Sequence, residues 1–275
     1  LTCAYTSFYN ERQKVQVVVV KNLEQDAKFG IGMNDEILAV SFGLYAAEDL
    51  TAADGKVIPK GGLIEIASCN KDGQAVFQTD LPVGAKLYVK EYSTDEHYLV
   101  SDKIYHATFE YVGQDVGLVH LSANGGEAIQ NKLIRGKICG KKSDENGAAV
   151  SSALLGLFPT DETEFTKAHA LMTAVSEKDG SFCFPDVPYG SWIVREIEAP
   201  DGYALNEERY SVTVDEDGAC VSVQIVDRKI PVAEIPKTGD GRNPGFWIGL
   251  GAVGVGGLIS SAIICFKKKR DEDEE

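Results

Sequence analysis

Two stretches of this chain follow one template. Residues 87–109 (LYVKEYSTDEHYLVSDKIYHATF) align with residues 192–214 (WIVREIEAPDGYALNEERYSVTV). Upstream, Lys71-Asp72-Gly73 and the DLPVG after it match Lys178-Asp179-Gly180 and DVPYG. Further back, Phe42-Gly43-Leu44-Tyr45 matches Leu155-Gly156-Leu157-Phe158. A chain that copies itself over this length folds as copies of one unit, each burying its own core. The local pattern is β. Short runs such as 86–91 and 210–214 alternate apolar and polar residues, and turn clusters part them: DENG at 144–147, KDG twice, PDG at 200–202 and DEDG at 215–218. Strands at this close spacing predict antiparallel sandwiches. DENG and DEDG lack the longer ligand ladder of a calcium loop, so they read as hairpin turns.

The end of the chain has a different character. Residues 246–266 read FWIGLGAVGVGGLISSAIICF, without one charged side chain. At about 1.5 Å per residue this run makes a helix of roughly 30 Å, enough to cross a bilayer core. Lys267, Lys268, Lys269 and Arg270 follow at once and should hold the C-terminus in the cytoplasm, with DEDEE as a solvated end. Just before the span, Ile235-Pro236-Lys237-Thr238-Gly239 resembles the LPXTG sorting signal, with Ile in place of the leading Leu. That resemblance implies a sortase as partner, cleaving between Thr238 and Gly239. The Thr238 carboxyl would pass to an amine on a peptidoglycan precursor or on a pilin. Pro236 fixes its own φ and biases Ile235 towards the extended form a groove can hold. The span would anchor the protein in the membrane only until sorting, leaving it on the cell wall. The Ile start leaves the sortase class open.

The two copies resemble the Cna-B-type, or SpaA-like, domains of Gram-positive pilins and adhesins, over roughly residues 15–133 and 136–229. In the second copy the resemblance rests on KKSDENG near the start, REIEAPDGY in the middle and VQIVDRKI at the end. It implies a small transthyretin-like β-sandwich for each copy. It also implies, as in many members, an intramolecular isopeptide bond between a Lys on the first strand and an Asn or Asp on the last. A Glu that opens the ExxAP stretch assists. Carried over by position, the second copy supplies Lys142, Glu196 and Asp227. The first supplies Lys21, Glu91 and Asn131, although its middle motif reads EYSTDEHY and lacks the AP pair. Asn131 precedes Lys142 by the same eleven residues that separate Asn10 from Lys21. Asn10 then reads as the last-strand residue of a preceding unit. The chain also opens on Leu1 with no charged-then-apolar leader, which makes a fragment the expectation.

The expected layout is all-β. Residues 1–14 end a truncated repeat, 15–133 and 134–229 are two tandem sandwiches, 230–245 carry the sorting motif, 246–266 span the membrane and 267–275 form the charged tail.

The implied chemistry needs these residue types. A lysine is a nucleophile only when neutral, and an apolar core lowers its pKa towards that state. A buried Glu is pushed the other way, keeps its proton and can shuttle it as a tetrahedral intermediate collapses. By alternation Lys21 follows Val17 and Val19 on one face, and Lys142 shares a face with Ile138 and Gly140. Glycine is a poor core residue, so Lys141 is the fallback nucleophile if the register slips by one.

Charge and cysteine usage narrow the function. Lys and Arg number 27 against 42 Asp and Glu, a formal charge of -15, and no basic stripe with interleaved aromatics invites nucleic acid. Six cysteines at 3, 69, 139, 183, 220 and 265 show no CxxC and no His at ligand spacing, so no metal or other cofactor is expected. Cys139 and Cys220 could pair outside the cell, but buried or half-buried free thiols fit the pattern better. The four His are isolated and read as structural. No Ser/His/Asp or Cys/His constellation and no phosphate loop is visible, so turnover catalysis is not expected. The reading is a structural stalk of a sortase-anchored adhesin. A basal or minor pilus subunit is the alternative, although no YPK-like pilin motif is visible. The stalk of a surface enzyme lacking its catalytic domain ranks below it. A ligand is not identified; residues 46–62, longer than their counterpart in the second copy, are the loop in which to seek one.

Overall fold

The computed structural model describes residues 12–52 and 54–231. Asn10, the motif Ile235 to Gly239, the apolar run 246–266 and the basic stop 267–270 lie outside the described residues. The first half contains β1 (Lys14–Leu23), β2 (Ser41–Ala46), β3 (Leu50–Thr51), β4 (Val57–Ile58), β5 (Leu63–Ser68), β6 (Gln74–Phe77), β7 (Lys86–Ser93), β8 (Ile104–Thr108), β9 (Leu118–Ser122) and β10 (Ile129–Asn131). The second contains β11 (Arg135–Asp144), β12 (Leu154–Pro159), β13 (Met172–Val175), β14 (Ser181–Pro188), β15 (Gly190–Glu198), β16 (Tyr210–Val214) and β17 (Cys220–Asp227). Two short 3-10 turns, Glu36–Ala39 and Ala123–Gly126, are the helical elements among the described residues. None is long and apolar enough to cross a membrane.

Both halves use one plan. In the second, the first strand β11 is central, antiparallel to β14 on one side and parallel to the last strand β17 on the other. The facing sheet runs β13-β12-β15-β16. In the first half β1 is likewise central, antiparallel to β6, and the facing sheet runs β5-β2-β7-β8. There the last strand is broken. β9 pairs with residues 14–18 of β1 and β10 with residues 21–23, and the turn between them passes through left-handed Asn124 and Gly125. The loop 46–62 folds on itself as the β3–β4 ribbon.

Strand alternation builds each core. Val15, Val17 and Val19 of β1 meet Phe42, Leu44, Leu87 and Val89 of the facing sheet. Ile138 of β11 and Ile225 of β17 meet Leu155, Leu157 and Val194 in the other half. A fully buried Leu, Ile or Phe contributes roughly 1.5–3 kcal/mol, so each core holds its sheets together largely by apolar area. The two halves touch through Arg135, the first residue of β11. Its guanidinium meets Glu24 and Asp26 of the first half at 3.0 Å, and Phe29 packs edge-on against Trp192.

Two expectations change: the first and last strands of each half pair in parallel rather than antiparallel, and the cysteine pairing differs. Cys139 pairs with Cys183, not with Cys220, because the β11–β14 register sets them directly opposite with Cα atoms 4.0 Å apart. Cys139 is therefore no free thiol; Cys69 is free and buried, and Cys220 free and exposed. Gly140 sits on the inner face after all, since a Cβ there would strike the Phe182 ring and the Val223 carbonyl. The glycine leaves room for an aromatic side chain, and Lys142 stays inward.

Candidate functional site

Among the described residues each half contains a buried triad of one lysine, one glutamate and one Asn or Asp, placed by the first and last strands and the facing sheet. Lys21 lies within the inward row Val15, Val17, Val19 and Leu23 of β1, so the alternation that builds the core also carries this amine into it. The parallel register pairs Lys21 with Ile129 and Leu23 with Asn131. Asn131 is thus the diagonal neighbour of Lys21 on the same face, within reach of a long side chain. The second half repeats the step: Lys142 pairs with Ile225, and Asp227 is two residues further on. Glu91 and Glu196 enter from β7 and β15 of the facing sheets.

The side chains converge. Lys21 Nζ lies 2.5 Å from Asn131 Oδ1 and 3.0 Å from Glu91 Oε1. Asn131 Nδ2 donates to Glu91 Oε1 at 2.7 Å and to Thr94 Oγ1 at 3.1 Å. Lys142 Nζ lies 2.5 Å from Asp227 Oδ1 and 3.0 Å from Glu196 Oε1. The Lys and Glu side chains of both clusters have no solvent exposure. The second oxygen of each Glu accepts a backbone N–H ten residues on, Ser101 at 2.7 Å and Asn206 at 2.8 Å. That bond fixes the carboxyl with one oxygen free to face the amine.

The electrostatics follow from burial. Desolvation pulls the Lys21 ammonium below its ordinary value, against the opposing pull of Glu91. Desolvation likewise pushes the Glu196 carboxyl up, against the Asn206 N–H and Lys142. The Lys21 amine also sits 5.6 Å from the centroid of Phe42. Buried Cys69 is near enough to Lys21 to feel its charge, yet burial holds its thiol at about 11. Lys141 points out to solvent and faces Asp179 at 3.7 Å.

The structure thus brings Lys21, Glu91 and Asn131 together, and Lys142, Glu196 and Asp227. Sequence reasoning passed over Thr94, Ser101 and Asn206. Ser101 and Asn206 contribute backbone N–H groups, which any residue but proline has, so only their common distance from the Glu marked them. It also read the KDG turns as punctuation, whereas Lys21 and Lys142 donate their own N–H to Gly73 and Gly180 at 2.7 and 2.8 Å. Among the described residues no group of three or more His, Cys, Asp or Glu could hold a metal ion.

Comparison with known proteins agrees with this architecture. Residues 136–229, about a third of the chain, match the SpaA family, described as a prealbumin-like fold domain. No curated protein matches the chain. Among solved structures, the Bacillus anthracis TIE protein aligns with 79% of this chain at 17% identity and a TM-score of 0.55. This chain covers only 34% of that one. A minor pilin of Streptococcus agalactiae aligns over 80% of this chain and 98% of its own at 16% identity, TM-score 0.34. A C-terminal fragment of the pilus adhesin SpaC from Lactobacillus rhamnosus GG does so over 80% and 99% at 11% identity, TM-score 0.46. At 17% identity the likeness to the TIE protein is one of fold. Residues 136–229 are thus similar to the SpaA family, described as a prealbumin-like fold domain, and that likeness agrees with the β-sandwich built by β11 to β17.

Proposed function

We propose that residues 15–133 and 134–229 are two tandem stalk modules of a Gram-positive cell-surface protein. Each module is closed by a self-formed isopeptide bond, Lys21 to Asn131 and Lys142 to Asp227. The observation that carries this reading is the pair of buried triads, with each lysine nitrogen 2.5 Å from its acceptor's side-chain oxygen. An amine and a carbonyl held together by folding react as an intramolecular pair, for which effective concentrations are very high.

At the first site the neutral Lys21 amine attacks Cγ of Asn131. Glu91 takes a proton from the attacking nitrogen and returns one to Nδ2. The Cγ–Nδ2 bond breaks and ammonia leaves. At the second site the Lys142 nitrogen forms its bond to Cγ of Asp227, a Cγ–Oδ bond breaks, and the oxygen leaves as water with one hydrogen from the lysine nitrogen and the proton that Glu196 carries. Each reaction happens once, so it is maturation and not turnover.

The strand order explains the use of such bonds. Load applied along the chain would enter the first module at Lys21 and leave at Asn131, bypassing everything between. The IPKTG motif, the apolar run and the basic stop support a covalent anchor to the wall through sortase, with Thr238 as the attachment point.

The test is the intact mass of the recombinant chain, denatured and reduced. The expected value is the sequence mass less one ammonia and one water, with Glu91→Ala restoring the ammonia and Glu196→Ala the water. A mass equal to that of the sequence removes the cross-link from this reading.

A further inference from the structure

The two sites differ in one neighbour of the acceptor. Thr94 follows β7, three residues past Glu91, and its Oγ1 accepts one hydrogen of the Asn131 amide at 3.1 Å. Glu91 Oε1 accepts from the same nitrogen at 2.7 Å. Both N–H bonds of the leaving group are therefore held, and the carbonyl oxygen is left to Lys21 at 2.5 Å. In the repeat alignment Thr94 corresponds to Ala199, three residues past Glu196. Ala199 has no hydroxyl, and Asp227 Oδ2 has no hydrogen-bond partner among the described residues.

We propose that Thr94 is a positioning residue that fits the first site to an asparagine acceptor, and that Ala199 leaves the second site fitted to an aspartic acid. This rests on the cross-linking reading above. The reason is the asymmetry of an amide. An Asn side chain can turn over, exchanging oxygen and nitrogen; turned over, it points N–H bonds at the lysine. When the amide nitrogen becomes tetrahedral, its new lone pair must face the proton on Glu91 or ammonia cannot leave. Thr94 holds the other N–H and so fixes that direction. A protonated carboxyl needs no such holder, because either oxygen can take the proton. The bonds made and broken are those already given: Nζ–Cγ forms, Cγ–Nδ2 breaks, and one lysine proton ends on ammonia.

The test follows mass against time in the full chain after refolding, with water loss at the second site as an internal clock. Thr94→Val is expected to slow ammonia loss about tenfold or more while leaving the clock unchanged. Thr94→Ser restores most of the rate. In an Asn131→Asp background, where the first site must lose water, Thr94→Val should have little effect on the rate. Ammonia loss at the parent rate in Thr94→Val overturns the proposal while leaving the cross-link intact. Equal slowing by Thr94→Val with and without the Asn131→Asp change also overturns it, because that is what a merely structural threonine would do. A parent chain that never loses ammonia is the separate failure of the cross-linking reading.

Discussion

Gly180 lies directly against the backbone of Lys142. The lysine N–H donates to the Gly180 carbonyl at 2.8 Å, and a Cβ on Gly180 would collide with the Lys142 carbonyl oxygen. Gly73 stands in the same relation to Lys21. Both glycines have φ in the left-handed region, at 78° and 74°. A residue with a side chain is thus opposed twice, by the backbone angle and by the contact. Gly180→Ala and Gly73→Ala are each expected to cost about 2 kcal/mol or more and to slow cross-linking in their own half only. Urea denaturation with intact mass checks both. A substitution that left its half as stable and as quickly cross-linked as the parent would show that the turn does not position the lysine.

Much of this was legible from repeats and alternation. The repeat aligned Glu91 with Glu196 and alternation faced Lys21 inward, because period-2 patterning and a shared template are both written along the chain, while the choice of Asn131 and Asp227 came from the family resemblance. The disulfide was not legible, because it depends on the register between β11 and β14, and two strands of the facing sheet separate them in sequence. Gly140 looked like a weak core position because its partner, Phe182, lies on the neighbouring strand. The break between β9 and β10 was hidden as well, since the second copy has one continuous strand there.

The buried groups set opposite pH trends for the two maturation reactions. Burial lowers the pKa of Lys21, so the fraction of neutral amine grows as pH rises through that lowered value. Ammonia loss at the first site is expected to quicken with pH and then level off below the ordinary lysine range. Burial raises the pKa of Glu196, so its proton is present below the raised value and lost above it. Water loss at the second site is expected to slow as pH rises through that value. Refolding at a series of pH values with quenched mass readings separates the two. Parallel profiles would mean that one shared event, such as folding, limits both.

Asp144 and Lys229 form a clamp beyond the second triad, with Lys229 Nζ 2.6 Å from Asp144 Oδ2. Asp144 pairs with Asp227 across β11 and β17, so the clamp ties the first strand to Lys229, two residues past the end of the last. The hydrogen bond from Lys229, then the Ala148 N–H, hold the Asp144 carboxyl below its ordinary value. The same bond raises Lys229. A depressed carboxyl stabilises the fold above its unfolded-state pKa, and the gain is lost as pH falls through the depressed folded value. A raised lysine gives stability present below its unfolded-state pKa and lost as pH rises through the folded one. Lys229→Met is expected to flatten the acid side of the stability profile. Unchanged melting at every acidic pH would show that solvent screening leaves the pair without weight.

The Cys139–Cys183 bond crosses the outer face of the second half and encloses β12 and β13, with the two cysteines 44 residues apart. Closing a loop of that length restricts the unfolded chain by up to about 4 kcal/mol in the chain-entropy treatment. A Lys142–Asp227 bond would already close an overlapping loop, and the two constraints share part of the same lost freedom. The disulfide should therefore matter most before the isopeptide forms. In a Glu196→Ala chain, adding Cys183→Ser is expected to lower the melting temperature by several degrees. In the cross-linked parent the same change should lower it much less. Equal shifts in the two backgrounds would mean that the bonds act independently, with no isopeptide loop overlapping that of the disulfide.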